Sequence, residues 1–585
     1  MLVRSTLVAA LASFSFGKPQ DSPCRILPGD DSWPTGEVWD AFNQSVDGRL
    51  IKTIPIGSPC HDPTYDEEQC TVIRQNWHIP DFHIPDPSSI MHPIFLNKSC
   101  DPFDPRETPC QIGAYVPYAV NVTSINHVLK TIHFVKKHNI RFVVKSSGHD
   151  YMGRSTGTGA LSVWMHNLQD VTLIPDFESA GYTGPAFKVQ PGVHGLDLAT
   201  EAHTRGFAVV GGECPTVSFA GGYIQGGGHS ALSSYHGLAA DQALEFEVIT
   251  TQGEFVRASP TRNQGLFWAL SGGGGGNYGI VWSVTVKAFQ DLPVTTASIN
   301  FTSDGISQDT YWQAIDAYQS STPALTDAKV WGMAQYTAAT FTLDPVFGVN
   351  KTSSEVEALI RPFLDTLDNL GVKYVTATNT YSGYLDAYNT LTFLKHFTVA
   401  DILVGSRLIP RSLWDDPEQL QSLQSTIRTI LEQGTEAVDF ILRPTLEVAG
   451  NPDNAVLPAW RDAERHLTII LPLVDGQPTV EALQNQDRIT TELIPGLKKL
   501  TPQSGSYQNE ADYQDPDFKQ TFWGPNYDKL LAIKDKWDPD QLLYGSTNVG
   551  GDRWAETEGG RLCRVRLDTP RLVHQTSDYI MQKQF

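Results

Sequence analysis

Between Val122 and Val286 the spacing of apolar residues switches from helical to strand periods. Ser124 stands as the N-cap of an amphipathic helix through Ile132, Phe134 and Val135, and the apolar run Arg141–Val144 follows it as a strand. Strand-like runs recur at Leu161–Trp164, Ala186–Gln190, Ala208–Val210, Leu244–Thr250 and Ile280–Val286, with glycine clusters between them. From about Thr295 to Pro495 the text changes. Strands at Ala297–Phe301, Val330–Tyr336, Ala437–Arg443 and Leu467–Leu471 alternate with long helical stretches at 353–370, 416–433 and 478–494. That order predicts an α+β chain with a sheet covered by helices on one side. Within Asn526–Trp537, the residues Tyr527, Leu530, Leu531 and Lys534 fall at helical spacing before Asp538-Pro539-Asp540 ends the run.

Composition narrows the class. A chain of 585 residues exceeds the size at which one hydrophobic core keeps growing, so at least two lobes are expected. A formal net charge of −22 excludes nucleic acid as a natural partner, because phosphate binding is driven by clustered Lys and Arg. Arg4, the apolar stretch Leu7–Phe14 and the small residues Ser15 and Gly17 read as a signal peptide over residues 1–17. No other segment has the length of apolar residues that a spanning helix needs, so a secreted protein without a membrane anchor is expected. Five sequons, at Asn43, Asn97, Asn121, Asn300 and Asn350, are possible N-glycan sites on such a surface.

Seven cysteines in an exported chain leave one over. Residues 18–110 are rich in Pro, Asp and Cys with weak periodicity, which reads as a disulfide-tied N-terminal segment. Six cysteines allow 15 connectivities. Short loops favour Cys60 with Cys70 and Cys100 with Cys110, which would leave Cys24 for Cys563. The remaining thiol, Cys214, is an intermolecular link, an inert buried group or a reactive sulfur.

Three segments carry candidate chemistry. Gly221-Gly222-Tyr223-Ile224-Gln225-Gly226-Gly227-Gly228 and the run Gly272–Gly276, followed by Asn277-Tyr278-Gly279, let backbone approach a phosphate or a planar ring. The bland reading of either block alone is a flexible surface loop, and neither has the dinucleotide-fold spacing of a nicotinamide site. Lys145-Ser146-Ser147-Gly148-His149-Asp150-Tyr151 directly follows a strand and offers a phosphate nest beside a nucleophilic imidazole. A lone histidine is more often structural; here its company changes the reading.

Together with Cys214-Pro215-Thr216-Val217, these segments resemble the berberine-bridge-enzyme-like branch of the vanillyl-alcohol-oxidase superfamily, and within it fungal isoamyl-alcohol-oxidase-like proteins. The resemblance is strong over residues 115–290, moderate over 495–554 and loose between. It implies a two-lobed fold. A PCMH-type FAD-binding domain would occupy 111–292, a substrate domain with an antiparallel sheet covered by helices 293–500, and a C-terminal segment, 501–585, would return to the FAD domain.

The resemblance also implies FAD bound bicovalently, through His149 to the 8α carbon and Cys214 to ring carbon 6, both sites for nucleophilic side chains. The pyrophosphate would lie on Ser146, Ser147, Gly148, Gly153, Arg154 and Ser155. Gly212, Gly221, Gly222, Gly226, Gly227, Gly228 and Ile280 would line the flavin and ribityl chain, with Asn526 and Asn548 near the isoalloxazine. Asp241, in Gly237-Leu238-Ala239-Ala240-Asp241, matches a family segment whose role is ligand contact or turn formation. Val217 resembles the family's gatekeeper beside the oxygen-reactive carbon, where Val accompanies oxidases; its bland reading is a core valine.

Tyr507-Gln508-Asn509 is similar to the family's Tyr-x-Asn motif, which makes Tyr507 the expected catalytic tyrosine, but Glu510 stands where an aromatic is usual. Arg461, His466 and Glu447 are further candidates near the flavin, each with a structural alternative. His229 and His236 flank the glycine run without pointing to catalysis, and no clustered ligand spacing suggests a metal. The expected activity is a secreted FAD-linked oxidoreductase, an oxidase taking hydride from an alcohol-type small molecule and reducing O2 to H2O2, with secondary metabolism as its setting. A dehydrogenase with another acceptor, or a flavin-carrying binding protein without turnover, are the alternatives.

Overall fold

The computed structural model describes residues 24–391 and 398–565, so the expected signal peptide lies outside the described residues. The helix Ile125–His138 starts after Ser124 and buries Val128, Ile132, Phe134 and Val135. It lies beside a four-stranded sheet in which Tyr118–Asn121 and Phe142–Lys145 both pair in parallel with Leu161–Trp164. The N-terminal segment is less irregular than its composition suggests. It forms the helices Gly36–Ser45 and Glu67–Asn76, and Leu50–Lys52 adds an antiparallel edge strand to this first sheet.

A second sheet of five antiparallel strands orders Val171–Ser179, Tyr182–Val189, Ile280–Lys287, Ala243–Ile249 and Phe255–Ala258. These two sheets carry all three chemical segments on the connections at their ends. Three disulfides, Cys24–Cys563, Cys60–Cys70 and Cys100–Cys110, tie the described termini together and close two short loops. Cys214 is left with a free thiol.

The other lobe is built on a seven-stranded antiparallel sheet. Its order is Tyr374–Tyr381, Val294–Thr302, Thr340–Val349, Trp331–Tyr336, Glu436–Ile441, Ala463–Pro472 and Ile402–Pro410. The helices Gln308–Asp327, Ser353–Leu370 and Pro417–Leu431 bury Ile315, Tyr318, Ile360, Phe363, Leu364 and Ile427 in one cluster with the strands. Ser353–Leu370 begins where the pattern predicts, because Thr352 and Glu355 form a reciprocal capping box and Gly371 ends it in the left-handed region. Strand side chains alternate between faces. On Ala463–Pro472, Arg465 enters the helix-covered side, where it pairs with Asp439 and Tyr336, and His466 turns to the other side. That other side faces the first lobe.

The loop 504–510 sutures the lobes. Leu408 N–H donates to Gly505 O, and Ser504 and Ser506 hydroxyls donate to Leu408 and Ser406 carbonyls of the seven-stranded sheet. In the other direction Gln508 Nε2 donates to Gly272 O and Asn509 Nδ2 to Gly222 O, one in each glycine run. Tyr507 and Glu510 are thereby fixed between the two lobes.

Candidate active site

Between the lobes lies a cavity of about 610 Å³. One wall is made of Ser146 to Met152, Gly212 to Cys214, Val217, Gly221, Gly222, Gly275, Gly276, Gly279 and Ile280. The two glycine runs cross here backbone on backbone, since a Cβ on Gly275 would stand 3.0 Å from the Gly222 Cα. A Cβ on Gly222 itself would meet no protein atom within 4 Å, so this glycine opens onto the cavity.

His149 and Cys214 meet on that wall. The imidazole Nε2 stands 2.8 Å from the Thr216 hydroxyl and 3.9 Å from Cys214 Sγ, which lies 3.6 Å from the same hydroxyl. Burial depresses His149 to about 3, so the ring is neutral and keeps a lone pair at physiological pH. Burial pushes the Cys214 thiol up to about 11. Its sulfur is therefore protonated at neutral pH until a base removes the proton.

The wall also fits a long polar cofactor. Ser218 Oγ and Asn548 Oδ1 line the cavity and are buried without a hydrogen-bond partner, as is Arg154 Nε. Burial lowers Arg154 to about 10, which leaves it a cation at neutral pH, and its guanidinium donates to Asn509 Oδ1 and Gln508 O. Orphaned donors and acceptors beside bare glycine backbone are what a flavin dinucleotide would satisfy.

The facing wall comes from the seven-stranded sheet and the suture loop: Met333, Gln335, Val404, Glu436, Val438, Phe440, Thr468, Tyr507 and Glu510. At its deep end His229 and His466 each direct Nε2 at Glu510 Oε2 across 3.1 Å. His229 Nδ1 stands 3.3 Å from Glu213 Oε2, an ion contact on the opposite edge of the ring. His229 faces a carboxylate on each side, Glu510 by hydrogen bond and Glu213 by a charge contact that leaves Nδ1 without a hydrogen-bond partner, so it is the ring placed to carry the positive charge, while His466 faces Glu510 alone.

The charges agree with this geometry. Burial opposes a charged His229, but Glu213 and Glu510 hold it well above the usual histidine range. Burial would raise Glu510, yet the His229 charge and hydrogen bonds from both rings keep it well below the carboxylate range. Burial lowers His466 against the pull of Glu510. Phe440, Trp460 and Tyr507 ring the group, with centroids 4.7, 6.2 and 5.4 Å from His229. One ring nitrogen of His229, one of His466 and one carboxylate oxygen of Glu510 all lie within 4.8 Å of one another, a clustering hidden by their scatter along the chain.

Of the residues singled out in the sequence, the cavity gathers Ser146, Ser147, Gly148, His149, Arg154, Ser155, Gly212, Cys214, Val217, Gly221, Gly222, Ile280, Tyr507 and Asn548. His466 stands just behind Glu510. Others sit elsewhere. Arg461 is outside the cavity, its guanidinium spent on Asp241 through bonds of 2.8 and 2.7 Å. Asp241 in turn accepts from Leu238 N–H, which makes it a turn-forming residue. Asn526 donates to Ala455 O and Val456 O. Gly153 packs on the Phe95 ring, and Gly226, Gly227 and Gly228 lie behind the wall, with Gly226 against Asn509. Glu447 is exposed on the short helix Leu446–Ala449, and His236 stacks on Phe289. Of the two carboxylates that carry the deep end, the sequence marks Glu213 only as the neighbour of Cys214 and Glu510 as a departure from the usual aromatic after Tyr507-Gln508-Asn509.

Burial, with Glu510 beside it, pushes Tyr507 far above the tyrosine range. Its hydroxyl therefore stays protonated and accepts from Asn509 Nδ2 at 2.9 Å. Such a group donates to a ligand rather than removing a proton from it.

Comparison with known proteins agrees with this geometry. Residues 116–259 match the family described as FAD binding domain, and residues 506–550 match berberine and berberine like. The FAD-linked oxidoreductase patO of Aspergillus clavatus is 43% identical over 560 residues, 95% of this chain and 96% of its own. The FAD-linked oxidoreductase ZEB1 of Gibberella zeae is 40% identical over 93% of this chain and 95% of its own. The crystal structure of the VAO-type flavoprotein MtVAO615 from Myceliophthora thermophila superimposes with a TM-score of 0.88 at 36% identity, over 93% of this chain and all of that one. The chain belongs to the berberine-bridge-like family of FAD-binding oxidoreductases.

Proposed function

We propose that this chain is a secreted oxidase that carries FAD on two covalent bonds, through His149 and Cys214, and oxidises a hydroxyl-bearing small molecule of secondary metabolism with O2 as final acceptor. The observation that carries the reading is the pairing of a neutral, half-buried imidazole and the single unpaired thiol, 3.9 Å apart, on the glycine wall. A glucooligosaccharide oxidase of Acremonium strictum, with 19% identity and a TM-score of 0.60, is described as holding a 6-S-cysteinyl, 8α-N1-histidyl FAD. A curated relative in Penicillium decumbens, 38% identical, is named a bifunctional decalin synthase, which supports small-molecule chemistry here as well.

When bound, the flavin supplies a two-electron acceptor for hydride. The chain supplies the rest. The glycine backbone and the Ser146–Ser147–Gly148 turn bind the cofactor, and the sheet wall of Met333, Val404, Val438 and Phe440 excludes water and holds an apolar substrate body. Val217 lines the cavity beside Cys214 and leaves more room for oxygen than a bulkier leucine would. Export is supported by the three disulfides, and none of the described helices is long and apolar enough to cross a membrane. All five sequon asparagines are at least partly exposed, which supports glycans on this surface.

The test is anaerobic mixing of the yellow protein with a panel of primary, secondary and benzylic alcohols, followed by air. Bleaching by at least one alcohol and recovery of colour within seconds is expected. A reduced protein that stays colourless for minutes in air would be a dehydrogenase.

A further inference from the structure

The geometry points to Glu510 as the residue that takes the hydroxyl proton of the substrate, with His229, His466 and Glu213 as its positioning residues. This rests on the reading above that the substrate is an alcohol. Tyr507 is the residue that sequence reasoning put in this role, but it is a phenol that keeps its own proton, whereas Glu510 is an ionised carboxylate with a lone pair to accept one.

Glu510 lines the cavity, and one of its oxygens, Oε2, accepts from both imidazoles at 3.1 Å. That double anchor leaves Oε1 as the less engaged oxygen, 3.3 Å from His229 Nε2. His466 is set by the sheet, opposite Phe440 on one side and Leu408 on the other. His229 is set by the turn that follows the Gly221–Gly228 block and by Glu213, whose own carbonyl accepts from Tyr388 Oη at 2.7 Å. Two unrelated elements thus converge on one carboxylate, and a third, the Glu213 loop, backs His229. Glu213 precedes Cys214, so the same loop holds the proposed flavin bond and the far end of the charge chain.

The groups facing His229 are Glu213 and Glu510 on either ring edge, with His466 and Tyr507 at centroid distances of 5.3 and 5.4 Å. Behind His466, on the other face of the sheet, the buried Arg465–Asp439 pair balances itself. One cation between two carboxylates leaves the group one negative charge. It therefore favours a neutral hydroxyl in the cavity and disfavours a carboxylate there.

The step balances simply. The substrate C–H bond breaks as hydride leaves with its electron pair to the flavin, the O–H bond breaks as its proton passes to Glu510, and a C=O bond forms. Two electrons and two hydrogens leave the substrate, and no further reactant is needed. Tyr507, kept as a phenol, donates to the substrate oxygen.

Two measurements on the FAD-loaded protein test this. Histidine-labelled NMR, assigned with His229→Asn, should find His229 still doubly protonated well above the ordinary histidine range and His466 neutral there. In Glu510→Gln, His229 should titrate at lower pH. A wild-type His229 titrating near the ordinary value of about 6.5 overturns the proposal. This arm needs no substrate. Stopped-flow reduction under nitrogen with benzyl alcohol as probe should slow about 100-fold or more in Glu510→Gln, at unchanged flavin absorbance, and less than about tenfold in Tyr507→Phe. The reverse ranking also overturns it. Failure of wild type to bleach with any alcohol counts against the proposed activity instead, so the two failures are distinguishable.

Discussion

The two walls of the cavity are built in opposite ways. The glycine wall comes from short unbroken stretches of chain, with Ser146 to Met152 in one turn and Gly212 to Cys214 in another. The facing wall draws single side chains from neighbouring strands, with Met333, Val438 and Thr468 each contributed by a different one. A wall made of backbone and contiguous nucleophiles specifies a cofactor that is always the same. A wall made of alternate strand positions can change one residue at a time without disturbing its sheet, which suits the side that meets the substrate.

The comparison can be broken most severely at the cofactor. The double variant His149→Ala/Cys214→Ala should release all of its flavin on acid denaturation, where wild type stays yellow. Cys214→Ala alone should keep one bond and fold normally, with a less oxidising flavin measured by redox titration.

The next largest effect should be purely structural. Arg461→Ala leaves Asp241 as a buried, unpaired carboxylate, and a loss of about 3–5 kcal/mol in urea unfolding is expected. Covalent flavin content in the material that folds should be unchanged. A folded Arg461→Ala with wild-type stability would mean that the pair holds nothing together.

The deep end of the substrate wall should show itself through pH. Glu510 is held below its ordinary value of 4.5, so its contribution to stability is complete above pH 4.5 and lost as pH falls through its folded value. His229 is held above 6.5, so its contribution is complete below pH 6.5 and lost as pH rises through its folded value. The melting temperature of wild type should therefore exceed that of Glu510→Gln most between about pH 4.5 and 6.5, by a few degrees, and the curves should converge on both sides. Parallel curves would contradict the charged arrangement. The smallest effect belongs to Asn526→Ala, which loses two bonds to carbonyls and should cost about 1 kcal/mol without altering the flavin spectrum.

The same contrast explains what was legible in the sequence. The glycine runs, the His149 turn and the Cys214 segment could be read because each is local. Leu161–Trp164 and Ser353–Leu370 could be read because burial and capping leave a clean pattern. The strand Ile402–Pro410 was hidden by Gly405, which looks like a break but fits where a Cβ would stand 2.4 Å from Ile489 Cγ2. The helix Gln308–Asp327 was hidden by its Ser, Thr and Gln residues and Pro323, although it buries Tyr311, Trp312 and Ile315. Tyr374–Tyr381 is an edge strand whose outer residues need not alternate. Glu510 lies 44 residues from His466 and 281 from His229, and only strand register and the suture loop bring them together. By position Arg461 looked catalytic and Asn526 cofactor-binding, but no sequence pattern marks the carboxylate and carbonyls that occupy them.

The most direct test of the account is a peptide mass map of the acid-denatured protein after proteolysis. It predicts a single species in which one FAD joins the peptide of His149 to the peptide of Cys214. Flavin that washes out of the denatured chain, or a map with neither peptide modified, would contradict it.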